Sequence, residues 1–198
     1  KYVYDRGILP KTTLTVETAS GVHTLTLFTR DGAVTLCGVT MGRADFAAAS
    51  LPALTDKVEL VNAPIEVGGK IYTVTCLSVG NPHCVVFDDR IDALDLEVLG
   101  PQFEHAPLFP ERINTEFVRV VNRNMLKMRV YERGNGETPA CGTGACAAVA
   151  AAVRLGLCAA DEDVTVKVRG GDLVVRVSAE GITLTGETGL VFEGVVYA

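Results

Sequence analysis

A chain of 198 residues, nearly half of them hydrophobic, is long enough for one large domain or two small ones with a sizeable core. Its net charge of −6 comes with no basic stripe, which argues against nucleic acid and anionic membranes as main partners. The longest uninterrupted apolar run, Ala145–Val153, is too short to span a bilayer. No secretory leader opens the chain and residue 1 is Lys, so a soluble, cytoplasmic protein is expected.

In chain order, Lys1–Arg6 (KYVYDR) reads as the tail of a buried helix. Val-, Thr- and Leu-rich strands follow at Leu14–Thr18, Val22–Phe28 and Ala33–Cys37, broken at Ser20-Gly21 and Asp31-Gly32. The Gly/Ala/Pro-rich stretch Met41–Pro52 marks a domain boundary. Strands resume at Val58–Asn62, Ile71–Val79 and His83–Phe87. Asp95–His105 reads as a short helix that Gly100-Pro101 interrupts. Strands Asn114–Val121 and Met125–Glu132 lead to a helix at Thr143–Leu155 (TGACAAVAAAVRL), apolar on nearly every face until Arg154. A helix hydrophobic all round is buried, so a barrel or strongly curved sheet wrapped on it is expected. A second β series closes the chain: Val164–Arg169, Leu173–Ser178, Ile182–Thr185 and Leu190–Tyr197.

The second series echoes the first. After the helix come Gly156, a strand, a Gly turn, a second strand, then Glu180-Gly181 and a third. Near the start come Gly7, a strand, a Gly turn, a second strand, then Asp31-Gly32 and a third. Two copies of one unit are expected, the first lacking its front. The fold expectation is α+β: two similar lobes, each a mixed β-barrel-like sheet around a central apolar helix, the first lobe incomplete. Residues 1–41, with a closing strand at 187–198, form the remnant of the first lobe; residues 42–186 form the complete second lobe.

The six cysteines (Cys37, Cys76, Cys84, Cys141, Cys146 and Cys158) have irregular spacing and no C-x-x-C pair, which argues against a disulfide framework or a closed zinc site. Cys37, Cys76, Cys84 and Cys158 read as small buried thiols. Cys146, five residues beyond Cys141, points away from it into the core.

Cys141 differs in context. In YERGNGETPACGTGAC (Tyr131–Cys146) a strand ends at Glu132, a Gly-rich turn follows, and Cys141 stands immediately before the apolar helix. A helix amino terminus presents unpaired N–H groups and partial positive charge. It is expected to stabilise a thiolate, lowering the pKa from a free value near ~8.5, and to hold a substrate carboxylate. A proton-transfer group beside an anion cradle suits removal of a proton from a carbon next to a carboxylate. Nothing in the sequence calls for a pyridoxal lysine or a metal. The alternative is that Cys141 merely caps the helix.

The stretch ERGNGETPACGTGACA is similar to the second active-site motif of the diaminopimelate epimerase family. GNPHCVVF (Gly80–Phe87) and FPERINTEFV (Phe109–Val118) resemble that family too, in the family order. The resemblance implies two similar lobes, each a β-barrel wrapped on a helix. It implies cofactor-independent epimerisation of diaminopimelate by one cysteine from each lobe, and a homodimer. On it, Cys141 is the thiol of the second lobe. Gly142 and Thr143 offer N–H groups to the carboxylate at the reacting carbon. Arg133, with Asn81 and Asn114, holds the remote carboxylate; Glu132 faces a substrate ammonium; His83 tunes the site. The family's first Cys-Gly helix start is absent, so the chain is expected to be amino-terminally truncated and inactive alone.

Each residue also has a duller reading. Glu132 and Arg133 suit an exposed strand-end pair, Asn81 and Asn114 suit turns, and His83 alternates with apolar positions like a core histidine. Other assignments stay open at this point: a proline racemase-like enzyme, an amino-acid-binding module, or a non-catalytic fragment; Cys141 argues against a phenazine-type isomerase, which lacks paired thiol chemistry.

Overall fold

The computed structural model describes residues 1–18 and 21–196, so the expected Ser20 turn and Tyr197 lie partly outside it. The chain divides into two compact units: Met41–Leu184, and Lys1–Thr40 with the chain from Thr185 on.

The larger unit is built on α3 (Gly142–Arg154), whose residues Gly144 to Ala152 are all buried. Small side chains let the surrounding strands approach it closely. Eight strands line up as β12-β11-β10-β8-β7-β6-β5-β4, where β4 is Ala63–Val67, β5 Lys70–Ser78, β6 Pro82–Phe87, β7 Asn114–Asn122, β8 Met125–Glu132, β10 Asp163–Val168, β11 Gly171–Val177 and β12 Ile182–Glu187; the short β9 (Gly136–Thr138) pairs with β8. The sheet is mixed, with β6–β7 and β8–β10 parallel. Val85, Val118, Leu126, Val164 and Val175 pack on α3 from one face. On the other face Cys84, Val86, Phe103, Phe109 and Phe117 form a second core under α2 (Leu96–Glu104). This alternation is the period-two rule for strands. Past Arg154, which pairs with Glu59 at 2.8 Å, α3 ends at Gly156 (φ +73°); the amides of Gly156 and Leu157 donate to Val153 and Ala152 in a glycine stop.

The smaller unit holds α1 (Tyr2–Asp5) and the antiparallel strands β1 (Thr13–Thr18), β2 (Gly21–Arg30) and β3 (Ala33–Thr40). The β1–β2 hairpin pairs Thr13 with Thr26 and Thr18 with Gly21; β10–β11 pairs Asp163 with Arg176 and Val168 with Gly171. The second set is the first displaced by 150 residues throughout, so the sequence echo is also an echo of strand register.

Several expected elements differ. Val58–Asn62 is not a strand: Val58 is 83% exposed and only Glu59 makes an isolated bridge, to Ala47. The strand is β4, Ala63–Val67. As an edge strand it accommodates Pro64, which lacks a ladder donor. The expected strand at Leu190–Tyr197, and with it the closing strand at 187–198, is absent among the described residues past Glu187; Val191, Phe192 and Val196 are exposed with no ladder partner. Pro101 does not interrupt α2, because only one helix hydrogen bond is forgone there, and Gly100 is required by the Tyr131 ring, which an added Cβ would meet at 2.1 Å. The α1 turn carries no buried residue, unlike the buried tail expected. Among the described residues no helix is long and apolar enough to cross a membrane.

Candidate active site

Cys141 is the N-cap of α3 (φ −137°, ψ 115°), and its Sγ accepts from the Gly144 amide at 3.4 Å. The first helical hydrogen bond runs from Ala145 to the Cys141 carbonyl. Helix geometry therefore leaves the N–H groups of Gly142 and Thr143 without intrahelical acceptors, beside the sulfur. Both residues are half-buried, and Cys141 itself is 9% exposed, at the edge of the α3 core rather than sealed inside it.

The Thr143 hydroxyl lies 3.5 Å from Sγ and accepts from Asn81 Nδ2 at 3.2 Å. Asn81 sits in the turn between β5 and β6, where Gly80 has φ +97°. Its Oδ1 is 2.9 Å from Nε2 of His83, and Nδ1 of His83 is 2.7 Å from Oε1 of Glu116. His83 and Glu116 are both fully buried. Parallel β6–β7 pairing sets His83 opposite Asn114 and Val85 opposite Glu116, so all four point to one face of the sheet. A continuous polar chain thus runs from β7 through β6 to the tip of α3.

Asn114 is buried and clamps two backbone groups: Nδ2 donates to the Pro82 carbonyl at 3.1 Å, and Oδ1 accepts from the Arg133 amide at 3.0 Å. Glu104, buried on α2, accepts from the Gly134 amide at 2.8 Å. These contacts fix the turn that follows β8. Glu132 ends β8 half-buried and accepts from the Thr138 hydroxyl on β9. Arg133 is exposed and, among the described residues, its guanidinium reaches only the Glu111 carbonyl, at 3.3 Å, which leaves most of its donors open.

The expectation that the helix terminus lowers the Cys141 pKa is overturned. Burial pushes the thiol up first of all; the Thr143 and Gly144 hydrogen bonds pull it down, but the Glu116 and Glu132 carboxylates add to the rise. The thiol form therefore dominates at neutral pH. Cys146 is fully buried and pushed up to about 12 by burial and by Cys141. Cys76, Cys84 and Cys158 are buried as expected, whereas Cys37 is only half-buried.

The structure thus gathers Cys141, Gly142, Thr143, Asn81 and His83 into one connected group, with Glu132 and Arg133 at the end of β8 and its turn, which Asn114 at the start of β7 clamps. Sequence reading missed Glu116 and Glu104. The available signal for Glu116 was an acidic residue among the otherwise neutral, wholly buried residues Asn114–Val118.

A sequence model described as Diaminopimelate epimerase matches residues 75–191. The chain is 46% identical over 198 residues to a diaminopimelate epimerase of Acetivibrio thermocellus, covering 99% of this chain and 70% of that protein. It is 44% identical over 205 residues to one of Desulfovibrio desulfuricans, covering 100% and 71%. Among solved structures, a probable proline racemase from Agrobacterium radiobacter superposes with a TM-score of 0.69 at 17% identity, covering 99% of this chain and 65% of that one. A hydroxyproline epimerase from Agrobacterium vitis gives 0.66 at 16% identity, covering 94% and 60%. These structures share the mixed α+β fold.

Proposed function

The chain belongs to the diaminopimelate epimerase family of isomerases, and from that premise we propose that Cys141 is one of two thiols that exchange the α-hydrogen of diaminopimelate, converting the LL to the meso isomer. The observation that carries this reading is Cys141 Sγ beside the open N–H groups of Gly142 and Thr143 at the tip of a buried helix. The substrate α-carboxylate takes those N–H groups, which also receive charge as the α-carbanion delocalises onto carboxylate oxygens. Glu132 faces the ammonium. Arg133 offers its planar fork to the remote carboxylate, with Asn81 and Asn114 shaping the same end.

In one direction the Cys141 thiolate takes the α-proton; the C–H electron pair passes to the carbon and its carboxylate, and a second thiol gives a proton to the opposite face. In the other direction Cys141 gives the proton. A raised thiol pKa favours the donor form at rest and makes the thiolate the stronger base once formed. A substrate ammonium at Glu132 offsets one of the charges that raises it.

Cys76, Cys84, Cys146 and Cys158 lie in apolar packing, and Cys37, although followed by Gly38, lies inside strand β3 and not at the start of a helix. This reading assigns the second thiol to none of them. The 198-residue chain alone is therefore expected not to sustain turnover, and steady LL-to-meso conversion by the pure chain would refute the two-thiol reading. Assembly as a homodimer belongs to the same proposal and is supported by exposed Val16, Val22 and Phe28 on the smaller unit; sedimentation tests it, and a monomer at all concentrations removes it.

Calorimetry tests the substrate. Diaminopimelate is expected to bind and proline not to, and Arg133→Ala to weaken diaminopimelate by at least about tenfold, as loss of a charged pair implies. Binding indifferent to that substitution removes Arg133 from the site.

A further inference from the structure

The proton transfer at Cys141 makes no use of Glu116, yet this carboxyl is fully buried, and its Oε2 has no partner among the described residues. Its Oε1 lies so close to the first turn of α3 that a Cβ on Gly144 would meet it at 2.7 Å, while the same Cβ would stand 3.3 Å from the Cys141 sulfur. A carboxylate sealed in a core needs a paired charge or a proton. The pairing group is His83, whose Nδ1 is 2.7 Å from Oε1.

Donor and acceptor rules then fix a direction. The short Nδ1···Oε1 contact holds one proton, and a sealed pair that is neutral overall keeps a second on the ring: with Glu116 ionised His83 is an imidazolium with hydrogen on both nitrogens, and with Glu116 protonated the neutral ring accepts at Nδ1. Nε2 is left to carry its own hydrogen and donates it to Asn81 Oδ1 at 2.9 Å. Asn81 Nδ2 in turn donates to Thr143 Oγ1 at 3.2 Å. The Thr143 hydroxyl, already accepting, has its single hydrogen free for the Cys141 sulfur at 3.5 Å.

We propose that Glu116 is a positioning residue that orients this chain of hydrogen bonds, so that Thr143 donates to the sulfur of Cys141 and not away from it. The proposal rests on reading Cys141 as the acid/base thiol. With a non-ionic group at position 116, His83 is released to take either tautomer. With Nε2 unprotonated, the Asn81 amide turns its nitrogen to His83 and its oxygen to Thr143, and the Thr143 hydrogen leaves the sulfur. The titratable groups around that sulfur are Glu116 on β7, Glu132 on β8 and Cys146 on α3, with His83 on β6 behind Asn81.

The test is the pH midpoint of Cys141 alkylation by iodoacetamide, followed by peptide mass spectrometry on the 198-residue chain without substrate. Thr143→Val is expected to raise the midpoint by about one pH unit, the scale of one hydrogen bond to the ionised form, and Thr143→Ser to keep it. In a Glu116→Gln background the rise on adding Thr143→Val is expected to be at most half as large; a larger rise overturns the proposal. Nitrogen NMR of the wild-type chain serves if Glu116→Gln does not fold. His83 Nε2 is expected to be protonated at neutral pH, and an unprotonated Nε2 overturns the proposal. Because alkylation needs no substrate, failure to bind diaminopimelate would end the functional reading and leave this result readable on its own.

Discussion

Gly144→Ala places a single methyl group between the two halves of the site. Gly144 has ordinary right-handed helical backbone inside α3, so replacing it by Ala gains about 1 kcal/mol of helix propensity in isolation. The added Cβ would stand 2.7 Å from Glu116 Oε1, 3.2 Å from Cys141 Cβ and 3.3 Å from its sulfur. Glu116 is held by His83 in a fully buried position, so it has little room to withdraw. Overpacking of this kind costs about 1 to 3 kcal/mol. The clash therefore wins, and a net loss of about 1 kcal/mol is expected. For a unit of this size that corresponds to a fall of about 2 to 4 °C in Tm. Urea and thermal unfolding would measure it, with Cys141 alkylation followed in parallel. A variant stabilised by the whole helix gain, with unaltered alkylation, would show that Glu116 does not press on the helix tip.

Two further substitutions probe the supports of the site. Glu104→Ala frees the Gly134 turn and is expected to weaken diaminopimelate binding by calorimetry, yet to add nothing in an Arg133→Ala background, because it acts through that turn. Glu137→Gln loosens the Arg129 pair at 2.8 and 3.0 Å under a carboxylate that is 8% exposed, and is expected to cost about 2 kcal/mol at pH 7 by denaturant unfolding. Arg129 holds the Glu137 carboxyl below its ordinary value of 4.5 in the folded state. Its stabilisation is present above that value, so the gap between wild type and variant should close as the pH falls through the depressed folded pKa. A gap that persists in acid would assign the effect to packing.

The parts of the fold legible in the sequence are those where one local signal dominates. α3 was readable because its residues are apolar on every face, a pattern suited only to burial. The hairpin echo was readable because Gly turns recur at matched spacing, and the constant offset in strand register bears that pattern out. β4 was missed because Pro64 argues against a strand; Ala63, Ile65 and Val67 keep the buried side of a regular alternation, an edge position tolerates the proline, and no local signal tells edge from centre. Over its described part, up to residue 196, the apolar stretch from Leu190 misled in the opposite sense, since apolar residues suggest a strand only if something pairs with them. At the site, the Cys-Gly-Thr-Gly sequence revealed the helix tip and its N–H groups. It could not reveal how far the sulfur is buried, nor that Glu116 and Glu132 converge on that tip from β7 and β8, so the direction of the thiol pKa came out reversed. Such convergence is a property of strand order, which is non-local.

On the proposed reading the Cys141 sulfur lies within the binding site of diaminopimelate. Its alkylation rate, measured with and without that ligand, tests this directly, with the half-buried thiol of Cys37, inside strand β3, as internal control. Saturating diaminopimelate is expected to slow Cys141 at least about tenfold, as direct occlusion requires, and to leave Cys37 unchanged. Alkylation of Cys141 at the same rate in a chain shown by calorimetry to be saturated would contradict the account.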